Sequence, residues 1–513
     1  MASLASPQRQ AAARSAGFLA ALRAEPLLAA TLLAFAVAAL LHGIVGLSRT
    51  HSFDETYTFV IASQPTFGGF VDWVSQELGG PLYYLLAWLW EKLVGLDHPL
   101  MRLPSLLALA AIPVLVLRGH VLDWRTRLVW AALLALWLPG LSIGTLARSY
   151  ALLLLLGTAQ AIAFVALLRD PEPRRAALWL GVSVLAVLTH YHAGVISLIQ
   201  GLIFVARAPR VALRSWPAGL LLVPLIACFA AQVAFLTRYA QPGNNWYQLV
   251  QPGDLVAIAA TAVGLGVLFL PLAFDSLAAT ARRLRDHVAG ERPLDWPVAL
   301  TVLSGVSAAV AVVAAGCFTP SFAPRYLLPY VPAILLGIAC QIESFDRRWR
   351  FGSATLMLWV IVLAVAWQGV PFARSETRDT ASFTLQPPSD WLAAMGSGQR
   401  LVLYCDNPTA GMASVRRQLV SIGRYGLERA GVHDPQVTIP AALVPGADPN
   451  RVIPQLAAQA RASLIWSYDK TVPGTLGIAH PFAGSPPGWT CRTFGNGVSI
   501  QVACLPQSEA SIP

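Results

Sequence analysis

The stretch that decides the fold runs from Pro26 to Leu47, PLLAATLLAFAVAALLHGIVGL, and is followed at once by the polar sequence SRTHSFDETY of residues 48–57. An apolar run of this length crosses the hydrocarbon core of a bilayer as one helix. Three arginines precede it, and no small-residue cleavage site comes before His51. The sequence therefore predicts a retained membrane anchor with residues 1–25 in the cytoplasm.

The rest of the chain repeats this alternation of apolar runs and short polar breaks. Of its 513 residues, 56% are hydrophobic and 12% are charged, whereas an ordinary soluble domain has about 25% charged residues. Only helices and closed barrels satisfy every backbone hydrogen bond in lipid, and the alternating segments of a barrel are missing from the sequence. We therefore expect a polytopic α-helical membrane protein.

Basic residues recur in every second loop, and this bias predicts the orientation of the spans. The loops expected in the cytoplasm are 118–127, 169–175, 207–214, 281–285 and 347–350. The loops expected outside are 49–80, 148–150, 189–192, 238–254 and 318–326. We expect the loop 49–80 to form short helices at the membrane surface. The alternation gives roughly eleven crossings, with the C terminus outside. The net charge of +10 fits these cytoplasmic loops, and no motif suggests a nucleic-acid partner.

One region interrupts the alternation. Two apolar pieces lie between Pro81 and Leu117, and two full crossings there would place the basic loop 118–127 outside. We therefore expect one of the two pieces to be re-entrant or to lie at the membrane interface.

A change in composition separates the membrane part, residues 26–371, from residues 372–513, which are polar and rich in proline and glycine. Strand-like runs at 400–404, 463–466 and 498–502 predict a small extracytoplasmic α/β or α+β domain. Cys491 and Cys504 flank a turn at residues 494–497 between such runs, so they are the preferred disulfide pair. No spacing typical of a structural zinc site occurs.

Polar side chains that carry chemistry gather at the outer ends of the spans. They are Asp54, Glu55, Arg148, Tyr150, His190, His192 and Arg325. Several loops could converge there over one cavity. A partly desolvated carboxylate suits general-base work, and arginines from other loops suit a phosphate because their planar fork donates paired hydrogen bonds.

The charged residues also have structural alternatives. Asp54 could cap a helix that begins at Glu55, as aspartate often does. Arg148 and Arg325 could lie at the interface and contact lipid headgroups. Residues of either kind would serve folding or anchoring and would take no part in a reaction.

The aromatic and histidine residues have alternatives as well. His190 and His192 are more typical of hydrogen-bonded loop residues than of a metal site, because no third ligand is indicated. Tyr83, Tyr84 and the tryptophans of residues 88–90 are more typical of interfacial aromatics than of residues that stack on a sugar.

Six short motifs then appear in a fixed order. They are FDETY at 53–57, GPLYY at 80–84, RLPS at 102–105, ARSYAL at 147–152, LTHY at 188–191 and PRYLLP at 324–329. In this order they resemble the polytopic GT-C glycosyltransferases, specifically the bacterial, glycosyltransferase family 39-like relatives of protein O-mannosyltransferases and of the lipid A aminoarabinose transferase. The set is fairly specific for that superfamily and does not name a substrate.

The resemblance implies a GT-C fold in the bacterial cytoplasmic membrane, with residues 372–513 in the periplasm. It also implies that a sugar passes, with inversion, from a polyprenyl-phosphate donor to a hydroxyl of a lipid, surface glycan or protein. Asp54 would be the general base, and Glu55 would position the acceptor or the base. Arg325 is the first candidate for stabilising the leaving phosphate, and Arg148 is the second. The wider site would include Tyr150, Tyr326, Tyr83, Tyr84, His190, Tyr191 and His192.

One motif departs from the family pattern. Many relatives have His-Pro-Pro before Leu-Tyr-Tyr, whereas this chain has Gly79, Gly80 and Pro81. Any donor contact or metal role of that missing side chain is in doubt here. The sequence leaves open whether a divalent cation assists, since carboxylates and histidines can bind one without a diagnostic spacing.

Two other functions remain as alternatives. A transporter or flippase for a lipid-linked saccharide would place charged or helix-breaking residues near mid-membrane, whereas the polar residues here gather at span ends. A non-catalytic scaffold with a working outer domain would tolerate the loss of Asp54.

Overall fold

The structure is a computed structural model. It describes residues 25–48, 53–75, 77, 79–239, 295–318, 322–349, 353–379, 385–405, 413–440, 449–469, 488–495 and 499–507. Residues up to 379 are helical, and the part from 385 onward combines helices with one sheet. The predicted class, a polytopic helical protein with a small C-terminal α/β domain, is confirmed.

Fifteen α-helices are described in the first part of the chain. They are α1 (Pro26–Ser48), α2 (Phe53–Ala62), α3 (Phe67–Val74), α4 (Pro81–Val94), α5 (His98–Arg118), α6 (Trp124–Ala135), α7 (Leu138–Ile143), α8 (Tyr150–Arg169), α9 (Pro173–Thr189), α10 (Ala193–Arg207), α11 (Pro209–Arg214), α12 (Val223–Tyr239), α13 (Trp296–Phe318), α14 (Val331–Trp349) and α15 (Ser353–Asp379). Two 3-10 helices lie at Trp216–Leu222 and Pro324–Tyr330.

Six segments of the described residues are long and apolar enough to cross a membrane. They are Pro26–Ser48, Pro99–Arg118, Tyr150–Arg169, Trp216–Val233, Trp296–Phe318 and Pro324–Glu343. Shorter apolar helices occur at Ala193–Arg207 and Leu358–Pro371. The chain is thus a multi-pass membrane protein. The total of about eleven crossings stays a prediction, because the predicted cytoplasmic N terminus, most of loop 238–254 and loop 281–285 lie outside the described residues.

Helix α1 packs closely against α15, α5 and α6. Its buried face carries Ala30, Ala34 and Ala38 at four-residue spacing. Small residues let helix backbones approach each other in lipid, where no hydrophobic force drives them together. Gly369 of α15 makes such an approach, because an added Cβ there would lie 2.6 Å from a methyl group of Leu41.

The region between residues 81 and 117 contains one helix of spanning length. Helix α5 has 21 residues, but α4 has only 14. At 1.5 Å per residue α4 is about 21 Å long, which is shorter than the roughly 30 Å of a hydrocarbon core. Helix α4 is therefore the piece that is too short for a full crossing.

The segment 49–80 forms α2 and α3, so the expectation of short helices in this loop is confirmed. Thr66 caps α3, because its side chain accepts a hydrogen bond from the Gly69 amide. Helix α2 begins at Phe53, so Asp54 lies in its first turn and does not precede it. Capping of a helix that starts at Glu55 is thus not the role that the structure gives to Asp54.

The last described membrane helix runs past the predicted domain boundary. The change in composition comes after Pro371, but α15 continues to Asp379. The sequence ARSETRD can remain helical in water, since a helix makes its hydrogen bonds within itself. Composition therefore marks the end of the apolar stretch, which the helix passes, and the domain boundary after residue 371 stays a prediction.

The C-terminal domain has three helices and one five-stranded sheet. The elements are α16 (Gln386–Ala394), β1 (Arg400–Cys405), α17 (Ala413–Arg429), β2 (Gln436–Thr438), α18 (Pro449–Gln459), β3 (Ser463–Asp469), β4 (Trp489–Gly495) and β5 (Ser499–Pro506). The strand order is β2-β1-β3-β5-β4, with β1 parallel to both neighbours and β5 antiparallel to both of its own. All three predicted strands and the Cys491–Cys504 disulfide, which joins β4 to β5, are confirmed.

Candidate functional site

Four separate parts of the chain meet at the end of the helix bundle that carries α2. Asp54 comes from α2, Arg148 from the segment before α8, His190 from the turn after α9, and Arg325 from the 3-10 helix at residues 324–330. These side chains lie close together. Arg325 approaches Asp54, and the charges of Arg148 and Arg325 both act on His190. We call this group the site cluster; it also includes Glu77, Tyr84, Tyr150, His192 and Tyr326.

Glu55 is locked inside the protein. The Nε and Nη2 atoms of Arg102 donate to its two carboxylate oxygens, each at 2.7 Å, and the Ala147 amide donates to Oε1 at 2.8 Å. Arg102 also donates to the carbonyl oxygen of Gly46 at 3.0 Å. The Glu55 side chain is 0% exposed and that of Arg102 is 1% exposed. Glu55 therefore joins α2 to α5 and to the segment that carries Arg148, and Arg102 extends this link to the end of α1.

Asp54, the next residue, is placed differently. Its side chain is 40% exposed, and its Oδ2 lies 3.9 Å from Nη1 of Arg325, whose side chain is 42% exposed. This distance is longer than a hydrogen bond. The carboxylate therefore remains open to an incoming group while a cation stands beside it.

Arg148 points inward and does not face a lipid interface. Its side chain is 14% exposed, and its Nη1 lies 3.8 Å from Oε1 of Glu77. Its guanidinium also lies over the Tyr84 ring, 5.6 Å from the centroid. The buried Nη1 has no hydrogen-bond partner among the described residues. A buried donor without a partner is costly, so an anion that accepts from it would be favoured at this position.

His190, His192 and Tyr326 form a cluster of rings beside the arginines, in which the His190 ring is tilted to the other two. The His192 and Tyr326 rings are 4.2 Å apart and nearly parallel, and the His190 ring lies 5.2 Å from each of them. Burial, then the charges of His192, Arg148 and Arg325, lower the pKa of His190 to about 3. Burial lowers the pKa of His192 to about 4. Both imidazoles are thus neutral near pH 7 and offer polar edges to a ligand.

The pKa of His190 predicts a dependence of stability on pH. The value in the unfolded chain is about 6.5, so between this pH and about 3 the unfolded state binds more protons than the folded state. Stability is then complete above the unfolded value and falls as the pH drops through this window. We expect His190→Gln to show a shallower loss of melting temperature between pH 7.5 and pH 5 than wild type. The exposed His433→Gln should behave as wild type, and equal slopes for all three proteins would contradict the prediction.

The two tyrosines of the GPLYY motif are core residues. Tyr83 is 2% and Tyr84 is 1% exposed, and the Tyr83 hydroxyl bonds to Oγ of Ser105 at 3.0 Å. These side chains therefore do not lie at a lipid interface. The Tyr84 ring contacts the Arg148 guanidinium, whereas the Tyr83 hydroxyl is occupied by Ser105. Tyr191 also points elsewhere, since its ring packs against Phe229 at 4.8 Å.

Two residues of the site were not singled out from the sequence. Glu77 contacts Arg148, and its sequence signal was weak: it is one of several carboxylates in the segment 49–80. Arg102 had a clearer signal, because a charged residue within an apolar span requires a partner. Within the described residues no three His, Cys, Asp or Glu side chains come together as a metal site, and the use of a cation stays open.

Gly80 lies where two segments of backbone approach each other closely. A Cβ atom at this position would lie 1.9 Å from the carbonyl oxygen of Leu188, so no side chain fits where the chain passes over the end of α9. Gly79 has ordinary space, since its nearest neighbours are ring atoms of Tyr84 at 3.7 Å. The close approach brings the segment with Glu77 next to the turn with His190.

The close contact at Gly80 predicts that substitutions of Gly80 and Gly79 differ in their effect on stability. Gly80→Ala should destabilise the protein by about 1–3 kcal/mol, because backbone must move to make room. Gly79→Ala is the matched control and should change stability little. The melting temperatures of both variants in detergent test this prediction, and it fails if Gly80→Ala melts with wild type.

Among known proteins, the chain is similar to solved structures. No family model matches the chain, and no curated protein matches it. Among solved structures it is similar to ArnT from Cupriavidus metallidurans in the apo state, with a TM-score of 0.49, 14% identity and coverage of 94% of this chain and 99% of that chain. ArnT from the same organism bound to undecaprenyl phosphate gives a TM-score of 0.46 and 13% identity, covering 91% and 97%. A likeness at this level leaves the function to be argued from the site itself.

Proposed function

We propose that the protein is a membrane glycosyltransferase that moves a sugar from a polyprenyl-phosphate-linked donor to an acceptor hydroxyl, with Asp54 as general base. The supporting observation is the division between two adjacent carboxylates. Glu55 is sealed against Arg102 and fixes the helix, whereas Asp54 is open and lies beside Arg325. A base next to a cation matches a reaction that removes a proton and expels an anion at one site.

In the proposed reaction Asp54 accepts the proton of the acceptor hydroxyl. The hydroxyl oxygen attacks the anomeric carbon of the sugar, and the bond from that carbon to the phosphate oxygen breaks on the opposite face. The configuration is therefore inverted. The electron pair of the broken bond stays on the polyprenyl phosphate, which leaves with an additional negative charge.

The arginines suit this change of charge. The donor is a phosphodiester with one negative charge, and the departing phosphate gains a second as the bond breaks. Arg325 stands next to the base, and the buried Nη1 of Arg148 has no hydrogen-bond partner among the described residues, although Glu77 lies 3.8 Å away. Cations fixed where negative charge develops stabilise the transition state more than the substrate.

Neutral polar rings complete the proposed pocket. His190, His192 and Tyr326, together with Tyr150, lie beside the arginines and carry donors and acceptors suited to sugar hydroxyls. Tyr84 contributes by supporting Arg148. Glu55 acts as the residue that positions the base, and Tyr83 and Tyr191 contribute to packing.

The polar residues inside the membrane part give less support to the transporter alternative. Gln160 in the middle of α8 donates to the hydroxyls of Ser183 and Ser197, and Gln200 of α10 accepts from Trp179 and donates to Ser304. These groups are neutral and bonded to each other across helices. Such bonds hold membrane helices together and do not form a charged path for a substrate.

We place the enzyme in the bacterial cytoplasmic membrane, with the site cluster and the C-terminal domain on the periplasmic side. Mass spectrometry of surface lipids, glycans and exported proteins, with and without the gene, tests the proposal. Loss of one sugar from one class of molecule is expected and would name donor and acceptor. Purified protein should then transfer that sugar from its polyprenyl phosphate. A flippase would change the same profile in cells but transfer nothing when purified.

A further inference from the structure

The helix that carries Asp54 is also in contact with the C-terminal domain. Tyr425 of α17 is 9% exposed, and its ring lies 6.0 Å from that of Phe59 in α2. It packs in one cluster with residues of α2, α3 and α4, outside its own domain. Tyr425 is therefore an apolar anchor of α17 on the membrane part of the protein.

Two further contacts join the same surfaces. Arg429, one turn after Tyr425, donates to the carbonyl oxygen of Leu96 at 2.8 Å, between α4 and α5. In the reverse direction, the Tyr57 ring of α2 packs against the buried core of the C-terminal domain. Side chains from both parts thus cross this interface, and two of the three contacts, those of Tyr57 and Phe59, involve α2.

The electrostatics of Tyr425 agree with this location. Burial raises its pKa to about 12, the charge and hydrogen bond of Arg429 oppose the rise, and the charge of Glu55 adds to it. Tyr425 is accordingly neutral at pH 7 and lies near the buried Glu55–Arg102 pair. The domain contact and the internal ion pair therefore act on the same short helix.

Helix α2 has only 10 residues. Isolated helices shorter than about 12–15 residues are marginal in water, so the position of α2 depends on what packs around it. Glu55 fixes it to the membrane part, and Tyr57 and Phe59 pack against the C-terminal domain. Because Asp54 is in the first turn, a movement of α2 changes the distance from its carboxylate to Arg325. A displacement of about 1 Å can reduce a reaction rate by about 100-fold.

We propose that Tyr425, assisted by Arg429, is a positioning residue that holds α2, and with it Asp54, in the geometry required for transfer. This assignment rests on the proposed function for its effect on catalysis. It gives the C-terminal domain a part in the reaction that differs from binding the acceptor. A purely selective domain would alter the KM for the acceptor and leave kcat unchanged.

The test compares variants of the full-length protein in detergent by hydrogen exchange and by kinetics. Tyr425→Ala should increase amide exchange in residues 53–62, leave exchange in α8 unchanged, and lower kcat by about 10- to 100-fold. Binding of undecaprenyl phosphate, the probe for the donor site, should remain within about twofold of wild type. Tyr425→Phe retains the ring and should restore both protection and rate.

Arg424→Ala is the matched control on the same helix, since Arg424 is exposed and pairs with Asp434 inside the domain. It should match wild type in exchange and in rate. Unchanged protection of residues 53–62 in Tyr425→Ala would overturn the positioning role, as would a change in acceptor KM alone. Increased exchange in a protein whose wild type transfers no sugar would instead contradict the proposed function and leave the contact between α17 and α2 established.

Discussion

Asp54→Asn is expected to lower sugar transfer by about 10²- to 10⁴-fold, which is the usual contribution of a positioned general base. Asparagine has nearly the same shape as aspartate but cannot take the proton of the acceptor. Binding of undecaprenyl phosphate and the melting temperature should stay close to wild type, because Asp54 is 40% exposed and its pairing with Arg325 is loose. Rates and binding measured on purified protein check these outcomes.

Asp72→Asn is the matched control for this experiment. Asp72 is an exposed carboxylate of α3 in the same segment, 49–80. Its replacement should leave transfer unchanged, which separates the loss of a base from a general change in charge. If Asp54→Asn transfers sugar at the wild-type rate, another group is the base, and the scaffold alternative for the membrane part regains its support.

Arg102→Met is expected to destabilise the protein by about 3–5 kcal/mol, the usual cost of removing one partner from a buried ion pair. Glu55 would then be a buried carboxylate that retains the Ala147 amide but loses both bonds from the guanidinium. Chemical unfolding in detergent measures the change. Adding Glu55→Gln should restore part of the stability, since the uncompensated charge is removed.

An exposed ion pair provides the control. Arg424 and Asp434 are 3.1 Å apart with side chains 46% and 81% exposed, so Arg424→Met should cost at most about 1 kcal/mol. A loss in Arg102→Met no larger than in Arg424→Met would show that the buried pair does not hold this region together. Sugar transfer should fall in Arg102→Met as well. Glu55 holds the helix of Asp54 to the Ala147 amide, next to Arg148, and without Arg102 this connection is weakened.

Local patterns in the sequence were sufficient for much of the fold. The apolar run of α1, the short helices of segment 49–80, the strands β1, β3 and β5 and the Cys491–Cys504 pairing were all predicted. Each depends on the length or periodicity of one stretch or on a turn between two neighbouring stretches. The end of α15 was not predicted, since a helix can continue where hydrophobicity stops.

The sequence predicted part of the geometry of the candidate site, and the roles of its residues stay predictions. The motifs indicated that Asp54, Arg148, His190 and Arg325 belong together, and the structure does bring them together. They gave no means of telling a core tyrosine from a pocket tyrosine, so Tyr83 and Tyr191 were grouped with the site. Tyr83 bonds to Ser105, which belongs to another motif, and Tyr191 packs against Phe229 of α12, which belongs to none. Whether a tyrosine is buried among such neighbours depends on how the helices pack.

The sequence by itself determined that this is a multi-pass helical protein with an α/β domain and that its acidic pair lies just after the first span. Only the tertiary structure decided the roles within that pair. Glu55 meets Arg102 47 residues away and the Ala147 amide 92 residues away, while Asp54 stays at the surface. Adjacent carboxylates have the same local chemistry, and a helix turns each residue by about 100° from the last. Which side faces the core and which faces the substrate therefore depends on how distant helices pack around α2.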